Sequence, residues 1–237
     1  MSYVALIPAA GVGARMAAGG VAGAPKQYLR LAGRTMLYHS IRCVAVPPVE
    51  TVFVVLAPQD KAFEAEDWSE FGVRVEPLYC GGETRRDSVH NGLVAAMGAV
   101  DADDWVLVHD AARPCLPRAD LASLIAALEN DSVGGLLALP VADTVKRAER
   151  DPAGHPRAVA TEDRERLWLA QTPQMFRAGL LVEALRVAHA RVTDEAGAVE
   201  ALGLQPRLVH GSRDNLKVTY AEDLAIAEFI LQQRPRN

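Results

Sequence analysis

The sequence predicts an α/β fold: a mostly parallel sheet flanked by helices, with a protruding β-arm. Three observations carry that expectation. Short apolar runs alternate with amphipathic stretches at the spacing of βαβ units, and loops rich in small residues leave several of those runs. From Asp143 to Trp168 a polar, charged segment breaks the alternation. Parallel strands joined by helices take right-handed crossovers and collect ligands at the carboxyl ends of the strands.

The first strand is expected at Val4–Ile7. Others follow at Thr51–Ala57, Val73–Tyr79, Trp105–His109 and Gly135–Leu139, each a short apolar run of the kind buried on both sheet faces. Helices are expected between them at Thr35–Val46, Gln59–Trp68, Arg85–Gly98 and Arg118–Glu129. Next, Thr144-Val145-Lys146 and Ala158-Val159-Ala160 alternate weakly around the turn-rich Asp151-Pro152-Ala153-Gly154-His155-Pro156. That pattern reads as a hairpin standing off the core. An isolated hairpin is marginal in water, so this arm, at about 143–170, either packs on a second subunit or is a loose surface excursion. Helices near Arg177–Arg191 and Glu195–Leu202, a strand around Arg207–His210 and a helix from Ala221 close the chain. With no internal repeat or low-complexity linker, residues 1–237 read as one domain with an arm.

Composition narrows the function classes. Half of the residues are hydrophobic and 23% are charged, as in ordinary soluble domains. A net charge of −5 and no Lys/Arg run longer than a pair argue against a nucleic-acid surface. Cys43, Cys80 and Cys115 are scattered without a CxxC pair, which fits reduced thiols in the cytosol. The absence of a basic, then apolar, leader and of an apolar run of about twenty residues makes a cytoplasmic location the expectation. The six histidines show no ligand spacing for a structural zinc, and no GxSxG elbow points to acyl transfer.

Four loops carry the chemistry. In the first, Pro8-Ala9-Ala10-Gly11-Val12-Gly13-Ala14-Arg15-Met16 leaves the first strand and closes, after an Ala/Gly-rich insert, with Pro25-Lys26-Gln27-Tyr28-Leu29. It matches neither GxGxxG nor a P-loop, and by residue type alone it is equally a tight turn or a phosphate cradle. Arg15 and Lys26 favour the cradle, because charge-assisted hydrogen bonds to a polyphosphate are strong. In the second, Gly81-Gly82-Glu83-Thr84-Arg85-Arg86-Asp87-Ser88 reads either as a capped helix start with a solvated arginine pair or as a loop that approaches a flat base. In the third, His109-Asp110-Ala111-Ala112-Arg113 offers an acid three residues before an arginine, suited to a sugar hydroxyl or metal beside a phosphate, or to a structural ion pair. The fourth, Asp214-Asn215-Leu216-Lys217-Val218-Thr219, places one lysine in a strand-like run, where such residues usually snorkel from an edge.

In order, these segments resemble the 2-C-methyl-D-erythritol 4-phosphate cytidylyltransferases. Asp163-Arg164, Trp168, Gln171-Thr172-Pro173-Gln174 and Thr193-Asp194-Glu195-Ala196 extend the likeness through nearly the whole chain. The resemblance implies a Rossmann-like nucleotidyltransferase fold and a homodimer in which one subunit's arm helps to build the other's site. It also implies CTP and methylerythritol phosphate as substrates, with Mg²⁺ bound mainly through the CTP phosphates. By the same resemblance, Arg15 and Lys26 stabilise the pentavalent phosphorus, and Ala9, Ala10, Gly11, Gly13, Gly82, Glu83 and Ser88 hold the nucleotide. Asp110, Arg113, Thr144, Thr172 and Thr193 contact the acceptor. Lys217, with Arg164 reaching across from the partner, positions the attacking phosphate. One departure is the ten-residue spacing between Arg15 and Lys26, nearly all Ala and Gly at 17–24, which is longer than the family pattern. Two rivals remain at this stage: a cytidylyltransferase for another polyol phosphate such as ribitol 5-phosphate, and a non-catalytic nucleotide-binding protein with the same fold.

Overall fold

The computed structural model describes residues 1–11, 25–188 and 192–234. Gly13, Arg15, the insert at 17–24 and the expected helix end at Arg191 lie outside them. In chain order, β1 (Tyr3–Pro8) precedes a ribbon of β2 (Arg30–Leu31) and β3 (Arg34–Thr35), then α1 (Met36–Val44), β4 (Val49–Val55) and β5 (Arg74–Leu78). Next come α2 (Arg85–Ala96), β6 (Trp105–Val108), α3 (Arg118–Leu128) and β7 (Gly135–Pro140). The hairpin of β8 (Val145–Arg150) and β9 (Pro156–Glu162) follows, and after it β10 (Trp168–Arg177), α4 (Ala178–Val187), α5 (Glu195–Glu200), β11 (Arg207–His210) and α6 (Ala221–Gln233).

Seven strands form one sheet in the order β11-β7-β10-β6-β1-β4-β5. All its pairings are parallel except those of β10, which runs antiparallel to both β6 and β7. β1 sets the geometry of the site. Its successors β4 and β5 add to one side and β6 to the other, so the carboxyl ends of β1 and β6 flank a topological switch point, where open sheets leave a crevice.

Both faces of the sheet are covered, as the unbroken apolar runs require. In β1, Ala5 and Ile7 face a layer that contains α1 (Leu37, Ile41) and α3 (Leu121, Leu124). Val4 and Leu6 face α2 (Val89, Leu93) and α4 (Leu181, Leu185) on the opposite side. A smaller cluster of Leu31, Met36, Cys115, Val218 and Ala227 seats α6 against the β2–β3 ribbon.

Two expectations need correction. No α-helix forms at Gln59–Trp68. Asp60 Oδ1 accepts from the amides of Ala62 (2.9 Å) and Phe63 (3.1 Å), and only a 3-10 turn at Phe63–Ala65 follows. Trp68 then folds back, stacks on Phe63 at 4.6 Å and donates Nε1 to the Phe63 carbonyl. Local side-chain bonds of this kind compete with helix. The second is an omission: no strand is expected where Gln171, Thr172, Pro173 and Gln174 break the apolar alternation, yet β10 forms there. The register shifts between Ala170 and Gln174, a bulge that admits the proline. Beyond it, Met175 and Phe176 are buried, one on each face.

The hairpin forms its own two-stranded sheet, with most residues exposed. Ion pairs Arg147–Glu162 (2.6 Å) and Arg157–Asp151 (2.9 Å) stitch it. At its root the Val141 amide donates to the Leu167 carbonyl, 3.1 Å. Among the described residues no helix is long and apolar enough to cross a membrane.

Candidate active site

A cleft of about 380 Å³ opens at the switch point. The loop after β1 contributes Ala9, Ala10 and Gly11, and the turn at Lys26–Tyr28 contributes Lys26. The loop after β5 supplies Gly82 and Glu83, with Arg85 and Ser88 from the first turn of α2. Asp110 follows β6, and Lys217 enters from far along the chain.

The first two loops lock together through small residues. The Ala9 amide extends the ladder to the Val55 carbonyl (2.8 Å), and buried Gln27 donates Nε2 to the Ala9 carbonyl (2.7 Å). A Cβ on Gly81 would lie 2.2 Å from the Ala10 Cβ and 2.8 Å from the Leu56 carbonyl oxygen. Glycine there is a requirement of close approach. Thr84 and Asp87 form a capping box at the start of α2. The Ser88 hydroxyl accepts from the Gly82 amide (3.1 Å) and donates to the Thr84 carbonyl (3.0 Å). Ser88 therefore shapes the very loop in which the sequence singles out Gly82.

At the centre stands Asp110, with its side chain 7% exposed. Its Oδ1 accepts from Arg85 Nε at 2.9 Å, its Oδ2 from Lys217 Nζ at 2.7 Å, and Arg113 Nε lies 3.7 Å away. Burial alone would raise this carboxyl, but the Arg85, Lys217 and Arg113 cations override it and hold it far below the ordinary carboxylate range. Arg85 also grips Glu195 with both terminal nitrogens, at 2.7 and 3.0 Å. Lys26 donates its ammonium to the Val218 carbonyl, which brings it beside Lys217.

A relay fixes the backbone under Asp110. The buried His109 donates Nε2–H to the Arg113 carbonyl (3.0 Å), which leaves Nδ1 to accept from the Thr172 hydroxyl (3.1 Å). That hydroxyl in turn accepts from the Asp110 amide, 3.0 Å. Burial pushes His109 down to about 4, so this neutral tautomer holds at neutral pH.

Residues 9, 10, 11, 26, 82, 83, 88, 110 and 217, all expected in the site, meet at the cleft. Gly13 and Arg15 lie outside the described residues, and Arg113, Thr144, Arg164, Thr172 and Thr193 do not line the cleft. Arg113 is 8% exposed and sits behind Asp110, where it donates to the carbonyls of Asn215 (2.6 Å) and Ala170 (3.4 Å). Thr172, 4% exposed, is occupied by the relay. Thr144, at the root of the hairpin, and Thr193, just before α5, are exposed. Arg164 is exposed too and donates to the Ala142 carbonyl.

Sequence reasoning missed Arg85, which is no solvated surface arginine, as well as Glu195 and Asn215. Asn215 is fully buried and donates to the Thr172 carbonyl at 2.8 Å, joining the Lys217 loop to β10. The available signal was the family segments themselves, since Glu195 and Asn215 lie within Thr193-Asp194-Glu195-Ala196 and Asp214-Asn215-Leu216-Lys217. Two lysines, a carboxylate and glycine-shaped backbone converge here, an arrangement able to hold a polyanion and orient a hydroxyl-bearing second substrate.

Comparison with known proteins agrees with this geometry. The family profile described as 2-C-methyl-D-erythritol 4-phosphate cytidylyltransferase matches residues 3–233. A protein of that name from Dechloromonas aromatica is 54% identical over 233 residues, covering 98% of each chain. One from Laribacter hongkongensis is 55% identical, covering 96% of this chain and 95% of its own. A crystal structure of a 4-diphosphocytidyl-2C-methyl-D-erythritol synthase superposes with a TM-score of 0.80 at 41% identity, covering 97% of this chain and 98% of that one. The crystal structure of the Thermus thermophilus cytidylyltransferase gives 0.74 at 32% identity, covering 98% of this chain and 100% of that one. The chain belongs to the 2-C-methyl-D-erythritol 4-phosphate cytidylyltransferase family.

Proposed function

We infer that the chain transfers CMP from CTP to 2-C-methyl-D-erythritol 4-phosphate, giving 4-diphosphocytidyl-2-C-methyl-D-erythritol and pyrophosphate for isoprenoid precursor synthesis. The observation that supports this most is the convergence of Lys26, Asp110 and Lys217 on one cleft at the switch point, in a chain of this family.

A phosphate oxygen of the acceptor attacks the α-phosphorus of CTP in line. The new P–O bond forms as the bond to the bridging oxygen breaks, and that electron pair leaves with pyrophosphate. The nucleophile is already ionised, so no protein base is needed. The barrier lies in bringing two anions together, which positioning and fixed cations overcome. Lys26, with Arg15, neutralises charge at the reacting phosphorus. Gly82, Glu83 and Ser88 hold the cytidine, and Ala9, Ala10, Gly11 and Gly13 line the triphosphate. Lys217 orients the attacking phosphate, and Asp110 takes an acceptor hydroxyl.

Among the described residues no group of three or more His, Cys, Asp or Glu is arranged to hold a metal ion. Mg²⁺ in this reading is carried on the triphosphate, because this ion keeps its waters and phosphate oxygens in preference to an all-protein cage. When bound it neutralises triphosphate charge. Asp110 is already engaged by Arg85 and Lys217, and Glu83 is the other carboxylate at the cleft.

The exposed hairpin, with Arg164 and Thr144 at its root, together with exposed Leu167, Trp168 and Leu169, supports a homodimer in which the arm of one single-domain subunit completes its neighbour's site; the scattered cysteines without a CxxC pair support a cytoplasmic location. In the same reading Thr193 contacts the acceptor, while Arg113 and Thr172 serve it from beneath by holding Asp110 in place.

Pyrophosphate release measured over a panel of acceptors and nucleotides tests the function. Turnover specific to CTP and methylerythritol phosphate is expected. Preference for ribitol 5-phosphate or UTP, or CTP binding without turnover on any acceptor, overturns it.

A further inference from the structure

Glu195 is a carboxylate where the fold needs none. It is fully buried in the first turn of α5, behind the cleft wall rather than on it. An apolar side chain could fill such a place without the desolvation cost of a charge, and buried ion pairs are weak devices for stability. Its backbone is nevertheless held firmly. Gln174 of β10 accepts from the Ala196 amide at 2.7 Å and donates to Asp194 at 2.9 Å, while Asp194 caps α5 through the Gly197 amide at 3.1 Å. The carboxylate is thus fixed to the central sheet.

Its partner is Arg85, whose fork it takes completely, Nη1 at 2.7 Å and Nη2 at 3.0 Å. Only Nε is left for Asp110, and it meets Oδ1. Oδ2 is then available to Lys217 at 2.7 Å. A guanidinium matches a carboxylate best with two parallel bonds. Released from Glu195, Arg85 would turn its fork onto both oxygens of Asp110 and compete with Lys217 for Oδ2.

We propose that Glu195 is a positioning residue of the transfer site: by occupying the Arg85 fork it keeps one Asp110 oxygen for Lys217 and so places the ammonium that orients the acceptor phosphate. The proposal rests on the reading of Lys217 given above. It also joins the nucleotide loop, through Arg85, to the segment at 193–195.

Charge makes the test sharp. The cluster holds three cations, Arg85, Arg113 and Lys217, against the carboxylates of Asp110 and Glu195. Glu195→Gln adds net positive charge beside the acceptor phosphate. If Glu195 acted only through its field, that substitution would tighten acceptor binding. Displacement of Lys217 does the opposite.

The experiment measures KM for CTP and for methylerythritol phosphate, with kcat, for wild type, Glu195→Gln, Arg85→Gln and the double variant. Wild-type turnover in the same assay tests the functional reading separately. The expected result is a rise of about tenfold or more in acceptor KM for Glu195→Gln, with CTP KM changed by less than about threefold. Arg85→Gln then adds less than about threefold on the Glu195→Gln background, because coupled residues are not additive. An acceptor KM that falls or stays put, an equal rise for both substrates, or a kcat loss that merely tracks the folded fraction in thermal melts overturns the proposal. Should Glu195→Gln not fold, Glu195→Asp keeps the charge but withdraws the carboxylate by a methylene. A wild-type acceptor KM in that folded variant overturns the proposal equally.

Discussion

Asp110→Asn is the most informative perturbation of the cleft. The amide keeps the shape but removes the charge that three cations share at 2.7, 2.9 and 3.7 Å. Taking away one partner of a buried ion pair costs about 3–5 kcal/mol. The Arg85 and Lys217 side chains are 26% and 39% exposed and can turn toward water, which places this case at the lower end, ~3 kcal/mol. In a chain of this size each kcal/mol moves the melting temperature by roughly 2–4 °C, so Asp110→Asn should melt about 6–12 °C lower at pH 7. The gap depends on pH in a defined direction. The folded carboxyl is held far below the ordinary value, so its contribution is complete above the unfolded value near ~3.9 and fades as pH falls through the folded one. Thermal melts of both proteins from pH 7 to pH 3 check this. The difference should stay level down to about pH 5 and shrink below about pH 4. A melting difference under about 2 °C at pH 7, or one that persists unchanged to pH 3, refutes the network as described.

Further expectations concern other parts of the site. His109, pushed down to about 4 by burial, should make stability fall as pH drops from about 6.5 toward 4, by up to ~3 kcal/mol, because the unfolded chain takes a proton that the folded one refuses. Urea unfolding at pH 7 and pH 5, with an NMR titration of the imidazole, measures it. Gly81→Ala forces its Cβ against Ala10 and should cost ~1–3 kcal/mol while raising the KM for CTP, read by melts and steady-state kinetics. Lys26→Ala should lower kcat on the order of 10²–10³-fold with the fold intact, measured by pyrophosphate release. Mixing Lys26→Ala chains with Arg164→Ala chains should restore activity in exchanged dimers, and no recovery after proven subunit exchange argues against a site completed in trans.

Much of the sheet was legible because strands buried on both faces leave continuous apolar runs, and β1, β6 and β7 follow theirs closely. β11 falls on Arg207–His210 as expected. β10 was not legible, since its bulge and its polar residues Thr172 and Gln174 bond to the Asp110 amide and to the start of α5, and those tertiary contacts override strand patterning. The expected helix at Gln59–Trp68 failed for a local reason, an aspartate that captures two amides at its start. For the cleft, glycine loops and lone lysines announced themselves. Arg85 did not, because an arginine at a helix start looks the same from sequence whether it meets solvent or two carboxylates folded in from residues 110 and 195. Contacts that long in sequence have no local signature.

The root of the hairpin has an evolutionary and practical consequence. Where Val141 and Leu167 meet across one backbone hydrogen bond, the chain leaves the sheet and returns to it at almost the same point. Everything between can lengthen, shorten or be replaced by a tight turn without changing the register of β7 or β10. Evolution or an engineer can therefore vary the reach of the hairpin, and with it the placement of Thr144 and Arg164, independently of the sheet that carries Asp110, cutting at the same two residues.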